Sequence, residues 1–502
     1  MIGQENFSIE YLNGFYDEEK DDFYSFRWMK KNSKIKINLN GKKGKYYLQF
    51  NCFSNFQDLS QILKIYKDKD LIFEGKLLHQ WHTLTFEIEF LKDEEVLDFE
   101  VNKLFPKFYY PNDKRDLAIR LADFVVHQDE NKFKVVKNSY ENGVKNIEEM
   151  SKGEVVLTSF PQYLGIDIYE KCNIKPPCVY CLWDESKIME GSFEDIKVSD
   201  ETFVSYGDFY FKSRKLINCS IGEPFINPSI EKILELFDRD EKILEISTNA
   251  HSFSDRILKA IEGKKLIIYI SLDAATSKTY SKIRNDQFER VYENLKKLKN
   301  IKKNWPKIYL VFMPMKVNLE DLESFFILGK ETLADYIILR PLNYIKEKRK
   351  PIERGGYKFY YNKEILSYKE QINVWDKALN LSERYKVPVL NQLFFGEENR
   401  REKGEEIPED ANLCSIPFPI CKEPWENYYI LRRGILPCCY GDYPLSGMDS
   451  FKDVWNSKEI VEIRKYLKDG KLSPYCLKAP ACPIVKRYKK KKFNFLNKIF
   501  KR

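Results

Sequence analysis

Three cysteines, Cys172, Cys178 and Cys181, fall within ten residues of one another and directly follow the apolar stretch 164–169. The alternation of apolar and polar residues in that stretch predicts a buried strand. Two consecutive prolines between the first two cysteines predict a loop that presents its side chains, rather than cysteines packed as small hydrophobic residues. Three thiolates on such a loop can hold three irons of a cubane cluster and leave the fourth iron open to a non-protein ligand.

Zinc is the alternative metal for this loop, because thiolates bind both zinc and iron. Zinc sites favour two paired cysteines plus two further ligands. Here three cysteines lie on one short loop without a second pair, and none of the four histidines of the chain lies between Cys172 and Cys219. The local pattern leaves both metals open and favours iron-sulfur.

Apolar runs and amphipathic stretches alternate about six times between residues 164 and 345. The predicted strands are 164–169, 216–219, 243–246, 266–270, 308–313 and 336–339. The predicted helices are 228–237, 254–261, 288–301 and 319–333. This alternation predicts an α/β fold with a parallel sheet covered by helices, arranged as a partial (β/α)6 barrel. In such a barrel the loops after the strands converge at one mouth.

Small or polar residues follow three of these strands. They are residues 220–224 (Ser-Ile-Gly-Glu-Pro), 247–249 (Ser-Thr-Asn) and 271–275 (Ser-Leu-Asp-Ala-Ala). Each motif alone is weak evidence, since Gly-Glu-Pro and Thr-Asn arise often by chance. Together with the cysteine trio, in order and each at a strand end, they predict one site at the mouth of the barrel.

This segment resembles the radical S-adenosylmethionine (SAM) superfamily. In that family a cysteine trio at a strand end binds a [4Fe-4S] cluster, and SAM chelates the open iron through its amino and carboxylate groups. The resemblance implies Cys172, Cys178 and Cys181 as cluster ligands. The commonest family spacing has three residues between the first two cysteines, whereas this chain has five, which we interpret as the mark of a subgroup.

The resemblance also implies SAM-binding residues at the strand ends. They are Tyr180, Gly222, Glu223, Thr248, Asn249, Ser271 and Asp273. Tyr180 occupies the aromatic position near the adenine, and Glu223 the position that contacts the SAM amino group. Ser271 and Asp273 are expected beside the ribose and carboxylate. Ile221 stands where the family motif commonly has its first glycine.

A second group of cysteines lies in the C-terminal third, together with Trp425, the run 454–456 (Val-Trp-Asn) and Arg464. This pattern resembles a short SPASM extension of radical SAM enzymes and implies one auxiliary [4Fe-4S] cluster. The implied ligands are Cys421, Cys438, Cys476 and Cys482.

Several assignments in this group stay open. Cys439 is the alternative to Cys438, because Gly434 lies one residue nearer the cysteine pair than in the usual motif. Cys414 is a spare cysteine, a ligand of a second, incomplete cluster, or a buried residue. A structural zinc knuckle is the alternative for the whole group, since four thiolates suit zinc well.

The first 140 residues alternate apolar and polar positions at intervals of about a dozen residues, which predicts an antiparallel β-sandwich. The runs 26–29 and 111–117 resemble an accessory sandwich found beside glycosyltransferases in surface-polysaccharide biosynthesis. The resemblance points to a substrate from a glycan pathway. We expect Arg115 and Asp116 to form an ion pair rather than a sugar contact, and Trp28 to be a core residue rather than a stacking platform.

A chain of 502 residues is too long for one core. The predicted divisions are 1–140 (β-sandwich), 155–345 (barrel), 346–412 (helical connection), 413–486 (auxiliary cluster domain) and 487–502 (basic amphipathic tail). Eleven cysteines grouped at short range, without a secretion signal or a membrane-spanning stretch, predict metal ligation in the cytosol. Cys52 and Cys219 stand apart and are expected in the core.

The C-terminal tail from Lys486 carries nine Lys and Arg residues and no acidic residue. Phe493, Leu496 and Phe500 fall on one helical face behind these charges, so the tail either lies on an anionic membrane surface or is a solubilising end. The rest of the chain is close to neutral, which argues against nucleic acid as a partner.

The resemblance implies that the reduced cluster cleaves SAM to a 5′-deoxyadenosyl radical, which takes a hydrogen atom from the substrate. An electron donor such as flavodoxin or ferredoxin is expected. Oxidation, epimerisation and cross-linking all stay open as outcomes. The alternatives are a radical SAM/SPASM maturase of peptides or proteins, and a non-enzymatic zinc or iron-sulfur binding protein.

Overall fold

The structure is a computed structural model. It describes residues 7–40, 43–181, 198–342, 350–393, 418–441, 443–479, 482–486 and 488. Cys414 and almost all of the predicted tail 487–502 lie outside the described residues. In the described part no helix is long and apolar enough to cross a membrane.

The N-terminal region forms one antiparallel sheet of eight strands. Its strands are β1 (Phe7–Lys20), β2 (Ser25–Leu39), β3 (Gly44–Ser54), β4 (Ile62–Lys67), β5 (Asp70–Lys76), β6 (Gln80–Phe90), β7 (Glu94–Val101) and β8 (Arg120–His127). Their hydrogen-bonded order is β5-β4-β7-β2-β8-β3-β6, with β1 paired to β2. Side chains alternate between buried and exposed along β7, as the period of two in the sequence predicts.

This sheet folds over on itself to make two layers. Phe50 of β3 contacts Phe99 of β7 with ring centroids 5.9 Å apart, and Phe73 of β5 contacts Phe86 of β6 at 5.1 Å. These strands are not neighbours in the sheet, so the contacts cross the core between the layers. The predicted sandwich is thus a single continuous sheet rather than two separate ones.

A mixed sheet of nine strands contains the predicted barrel. Its strands, with a separate hairpin of β15 and β16, are β9 (Tyr163–Ile166), β10 (Lys215–Asn218), β11 (Ile243–Thr248), β12 (Leu266–Ser271), β13 (Lys307–Phe312), β14 (Tyr336–Leu339), β15 (Ile352–Arg354), β16 (Tyr357–Phe359), β17 (Val389–Asn391), β18 (Asn427–Leu431) and β19 (Gly434–Leu436). Strands β9 to β14 are parallel neighbours in chain order. The partial (β/α)6 barrel is therefore confirmed.

Helices connect these strands. They are α1 (Glu130–Ser151), α2 (Asp200–Ser205), α3 (Asp208–Phe211), α4 (Ile230–Arg239), α5 (Asp255–Ile261), α6 (Ser277–Ile283), α7 (Phe288–Ile301), α8 (Leu322–Glu331), α9 (Tyr361–Glu364), α10 (Tyr368–Tyr385), α11 (Glu423–Glu426), α12 (Phe451–Val454), α13 (Lys458–Lys468) and α14 (Pro474–Leu477). Ile233 and Phe237 of α4 share one hydrophobic core with Leu244 and Ile246 of β11. The helices thus cover one face of the sheet.

The other face of the sheet packs against the N-terminal region. Trp305, which lies two residues before β13, contacts Tyr24 with ring centroids 6.0 Å apart. Trp28 belongs to the same aromatic cluster, is 5% exposed and stacks on Phe105, so its prediction as a core residue is confirmed. The N-terminal sheet therefore meets the barrel where β13 begins.

The predicted ion pair between Arg115 and Asp116 is wrong. Arg115 pairs instead with Asp113 at 2.7 Å and with Glu19, while Asp116 pairs with Lys107 at 3.0 Å. Each of the two side chains thus takes part in a separate ion pair.

The cysteine-rich C-terminal segment joins the barrel sheet directly. Strand β18 pairs in parallel with β9, and β19 continues as an antiparallel hairpin. Arg464 is fully buried and donates to the carbonyls of Pro424 at 2.9 Å and Val155 at 3.0 Å. Asn456 accepts from the Leu157 amide at 2.9 Å. These bonds fasten the segment to the chain that leads into β9.

Candidate active site

The loop after β9 carries the cysteine trio. Cys172, Cys178 and Cys181 are each partly buried, and the Cys181 amide donates to the Cys178 carbonyl at 2.9 Å. Burial is the main cause that raises the pKa of Cys172 to about 11; a backbone hydrogen bond from Ile174 lowers the pKa, and the charges of Cys178, Glu223 and Cys181 contribute to raising it. Cys172 is therefore near the other two cysteines and near Glu223.

Gly222 places the strand-end motif against this loop. A Cβ atom at this position would lie 2.4 Å from the carbonyl carbon of Glu170 and 2.4 Å from the carbonyl oxygen of Lys171. Both atoms belong to the backbone, so only glycine allows this approach. The Glu223 amide then donates to the Lys171 carbonyl at 2.7 Å.

Glu223 is 1% exposed and already accepts three hydrogen bonds. Its Oε1 accepts from Thr248 Oγ1 at 2.8 Å and from the Phe225 amide at 3.2 Å, and its Oε2 accepts from the Asn249 amide at 2.7 Å. Burial raises its pKa to about 7, although these hydrogen bonds lower it. A carboxylate has about four lone-pair sites, so one remains for a ligand that donates.

Asn249 connects Glu223 to the cysteine loop. Its Nδ2 lies 3.7 Å from Cys172 Sγ and donates to Asn173 Oδ1 at 2.8 Å. Asn173 in turn donates to Ser252 Oγ at 2.8 Å. The structure thus brings the predicted residues after β10 and β11 together with the first cysteine.

A buried ionic network lies after β12. Asp273 Oδ2 accepts from Arg284 Nη2 at 2.8 Å and from the Tyr180 hydroxyl. Its Oδ1 accepts from the Met313 amide at 2.9 Å, and its backbone carbonyl accepts from Asn318 at 2.9 Å. Tyr180 and Asp273 therefore contact each other directly, a pairing that their sequence positions do not indicate. Burial and the Asp273 charge both raise the pKa of Tyr180, although Arg284 lowers it.

Arg284 was not among the predicted site residues. It is 2% exposed, and its Nε is buried without a hydrogen-bond partner among the described residues. It ends α6 after Ser281-Lys282-Ile283, a context typical of an exposed helix end. Ser271, by contrast, ends β12 in register with Val311 and is half-buried.

The β15–β16 hairpin covers the cysteine loop. Arg354 Nη1 donates to the carbonyls of Pro177 and Arg284, at 2.6 Å each. Phe359 packs in one cluster with Val179 of the loop. This hairpin lies in the range 346–412, which the sequence predicts as a helical connection.

The second group of cysteines lines one apolar cavity. Cys421, Cys438, Cys476 and Cys482 share its walls with Pro424, Pro437, Leu467 and Tyr475, among others. Burial raises the pKa of Cys421 to about 12 and also raises that of Cys438. Such thiols stay protonated at neutral pH unless a metal displaces the proton.

Cys438 and Cys439 occupy different environments. Cys438 lines the cavity, whereas Cys439 is exposed. Cys219 is partly buried and packs against a cluster that includes Tyr429, while Cys52 is fully buried in the N-terminal core as predicted. The geometry therefore favours Cys438 over its neighbour as a ligand.

Among the described residues, no three His, Cys, Asp or Glu side chains are close enough to hold a single metal ion. The preference for iron-sulfur over zinc stays a prediction.

A family model described as the Radical SAM superfamily matches residues 166–328. These residues are similar to the domain that this family model describes. The match runs from the last residue of β9 to within α8, and it includes the cysteine trio and every strand-end residue described above. No curated protein matches the chain.

Three solved structures are similar to parts of the chain. SuiB from Streptococcus suis bound to precursor peptide SuiA has 15% identity and a TM-score of 0.49, covering 69% of this chain and 74% of that one. Native anSMEcpe with bound AdoMet has 16% identity and a TM-score of 0.44, covering 65% and 89%. TYW1 with a lysine-pyruvate adduct bound has 18% identity and a TM-score of 0.30, covering 47% and 80%.

The radical SAM superfamily uses a [4Fe-4S] cluster and SAM, and the site fits both groups. The cysteine trio supplies three thiolates on one loop. Glu223 keeps one acceptor site for an ammonium, and Arg284 keeps a buried donor for a carboxylate. The charges of a SAM methionine end thus have complementary groups within this domain.

Proposed function

We propose that this protein is a radical SAM enzyme that removes a hydrogen atom from a substrate at the mouth of the barrel. The observation that carries the proposal is the link from Glu223 through Asn249 to Cys172, which places a buried carboxylate beside the cysteine loop. When bound, the reduced cluster and SAM supply a 5′-deoxyadenosyl radical. The chain itself orients, shields and holds the reactants.

We assign the trio Cys172, Cys178 and Cys181 as the cluster ligands. Glu223 accepts a hydrogen bond from the SAM amino group, in the lone-pair site that Thr248 and the backbone amides leave open. The hydrogen bonds from these groups keep Glu223 in position. Gly222 sets its distance from the loop.

Arg284 is the proposed partner of the SAM carboxylate. Asp273 accepts a hydrogen bond from Nη2 of this guanidinium, while Nε has no hydrogen-bond partner among the described residues. Asp273 stays a proposed SAM-binding residue with Ser271, and it has a second role in orienting Arg284 and Tyr180. The β15–β16 hairpin excludes water from this network through Arg354 and Phe359.

The C-terminal cavity is the proposed site of an auxiliary [4Fe-4S] cluster, held by Cys421, Cys438, Cys476 and Cys482. Its support is that these four thiols, and no exposed cysteine, line one apolar cavity. Pairing of β18 with β9 connects this cavity to the strand that leads into the trio. A cluster there is suited to accept an electron from a substrate radical or to bind the substrate.

We propose a sugar or another glycan-pathway compound as substrate, on the resemblance of the N-terminal runs 26–29 and 111–117. The packing of Trp305 against Tyr24 puts the N-terminal sheet at the start of β13, away from the mouth, so this sheet is not proposed to hold the reacting group. A peptide is the alternative substrate. To distinguish the two, the protein is incubated with candidate sugars and peptides that carry deuterium. The class of compound from which deuterium is transferred to 5′-deoxyadenosine is the substrate class.

The test of the proposed reaction is reductive cleavage of SAM under anaerobic conditions. Protein reduced with dithionite is expected to release 5′-deoxyadenosine and methionine. The matched control replaces Cys172, Cys178 and Cys181 together by Ala and is expected to release neither. Cleavage that persists in this variant would refute the proposed ligands, and intact clusters without cleavage in the wild type would favour a non-enzymatic binding protein.

A further inference from the structure

A polar cavity lies at the amino-terminal ends of the barrel strands, whereas the proposed SAM site lies at their carboxyl ends. Glu426, Gln162 and Arg214 directly precede the neighbouring strands β18, β9 and β10. The Gln162 amide donates to the Glu426 carbonyl at 2.9 Å, and the Arg214 amide donates to the Gln162 carbonyl at 2.9 Å. Because the cysteine trio follows the carboxyl end of β9, this cavity is separate from the mouth.

The cavity has a volume of about 210 Å³. An apolar cavity of roughly 150 Å³ takes up benzene, so the space fits a somewhat larger molecule. Its walls come from the N-terminal sheet region, α1, the strand beginnings of the barrel and the C-terminal segment. An occupant would therefore contact all the main parts of the chain.

Two positively charged side chains, Arg214 and Lys422, line this cavity together with one carboxyl group, that of Glu426. Arg214 Nη1 donates to the Trp81 carbonyl at 3.4 Å, its Nη2 donates to the Tyr163 hydroxyl, and its guanidinium lies over the Tyr163 ring. Lys422 Nζ donates to Gln57 Oε1 at 3.3 Å. In the described part of the chain neither Arg214 nor Lys422 forms a salt bridge, although both are partly buried and Lys422 Nζ lies 3.6 Å from the centroid of the Phe418 ring.

Glu426 and His79 face the same two cations. Burial raises the pKa of Glu426, while the charges of Lys422 and Arg214 lower it. Burial lowers the pKa of His79, and the same two charges lower it further. All four side chains line the cavity, so its walls carry two cations, one carboxyl group and one imidazole.

Three polar atoms in these walls are buried and have no hydrogen-bond partner among the described residues. They are Arg214 Nε, His79 Nδ1 and Gln162 Oε1. Gln162 itself is 2% exposed. Buried polar atoms are nearly always hydrogen-bonded, so these atoms indicate a bound group that both accepts and donates. The accepting part matches Arg214 and Lys422, and the donating part matches Gln162 and Glu426.

We propose that this cavity binds a compact hydroxylated organic anion, whose carboxylate or phosphate group lies between Arg214 and Lys422. The anionic oxygens accept from Arg214 Nε and Lys422 Nζ. A hydroxyl group of the ligand donates to Gln162 Oε1 or Glu426. The carboxyl group of Glu426 favours an occupant that brings a hydroxyl group to it.

Calorimetric titration of the anaerobic, cluster-loaded full chain tests this proposal. The probes are glycerol 3-phosphate, glycerate and inorganic phosphate, with glycerol as the uncharged control. At least one of the two organic anions is expected to bind saturably, and more tightly than inorganic phosphate, while glycerol does not bind. Binding of glycerate alone would identify the anionic group as a carboxylate, and binding of glycerol 3-phosphate alone as a phosphate.

The substitution Arg214→Gln is expected to weaken binding of that anion at least tenfold, since a hydrogen bond to a charged group is lost. The matched control Lys145→Gln removes a positive charge from the exposed face of α1 and should change the affinity less than twofold. If Arg214→Gln does not fold, Lys422→Gln with an unchanged iron content serves instead. No saturable binding by any of the anions, or equal binding by the cavity variant and the wild type, would overturn the proposal.

Discussion

The two groups of cysteines differ in what surrounds them. The trio at Cys172 lies beside Glu223 and Asn249, whose buried polar groups leave acceptor capacity unused. The C-terminal group lines a cavity whose other walls are apolar, with Leu467 and Tyr475 among them. A metal centre with an open position needs polar partners for its extra ligand, whereas a centre with all positions filled by protein does not.

From this comparison we propose different roles for the two sites. The trio, with its polar surroundings, suits a centre that binds and turns over a charged cofactor. Four thiols in an apolar pocket suit a centre that transfers electrons or stabilises the fold. An apolar shell of low dielectric constant tunes the reduction potential of such a centre but offers no polar contacts to a substrate or cofactor. The pairing of β18 with β9 holds the two in a fixed relation.

The largest expected effect separates Cys438 from Cys439. Cys438→Ala should remove the irons of the C-terminal centre, about four per chain, because it deletes one of four ligands in the cavity. Cys439→Ala, the matched control, should keep them, since this residue is exposed. Iron and sulfide counts on anaerobic protein measure the difference. Equal loss in both variants would break the distinction between the two cysteines.

Glu223→Gln tests the polar surroundings of the trio. We expect a loss of at least about 100-fold in SAM cleavage, because a buried charge partner of the ammonium disappears while the side chain keeps its shape. Glu235→Gln, on the exposed face of α4, is the control and should leave cleavage unchanged. Formation of 5′-deoxyadenosine at equal iron content is the measurement, and wild-type activity in Glu223→Gln would contradict the assignment.

Arg464→Met tests how the C-terminal centre is fastened. The change leaves the carbonyls of Pro424 and Val155 without a donor, so we expect a loss of about 2 kcal/mol in the free energy of unfolding. Lys465→Met, its exposed neighbour, should change stability little. Urea unfolding of iron-loaded protein measures both. Equal stabilities would show that these bonds do not fasten the segment.

The smallest expected effect is a pH dependence of SAM binding. Burial raises the pKa of Glu223 to about 7, so the carboxyl group gains a proton as the pH falls through this value. Only the ionised form attracts an ammonium, so SAM affinity should weaken several-fold from about pH 8 to about pH 6. In the free protein the same raised pKa means that the carboxyl contributes more stability at low pH, and that this contribution falls as the pH rises from about 4.5 to about 7.

Equilibrium binding of SAM across this range checks the direction. Glu223→Gln should flatten the profile, because it has no group that titrates there. A profile that keeps its slope in this variant would assign the pH dependence to another group.

The barrel was predictable because its signals are local. Each strand from β9 to β14 is a short, largely apolar run, and the helices between them keep a period near 3.6. The N-terminal strands were equally visible, but their order β5-β4-β7-β2-β8-β3-β6 depends on contacts between distant residues. No local pattern specifies such an order.

The site was predictable in part for the same reason. Glu223, Thr248 and Asn249 follow strands, so the barrel topology brings them together. Arg284 escaped prediction because its burial comes from Asp273 and Tyr180, which lie elsewhere in the chain. Cys438 and Cys439 are adjacent in sequence, and only the folded hairpin gives them different surroundings.

The central claim is that the trio, and not the C-terminal group, binds SAM. Two variants test it directly: one with Cys172, Cys178 and Cys181 changed to Ala, and one with Cys421, Cys438, Cys476 and Cys482 changed to Ala. Formation of 5′-deoxyadenosine by the reduced proteins is the measurement. We predict none from the first variant and continued cleavage by the second, each with about four irons left. Cleavage by the first variant, or its loss only in the second, would contradict the claim.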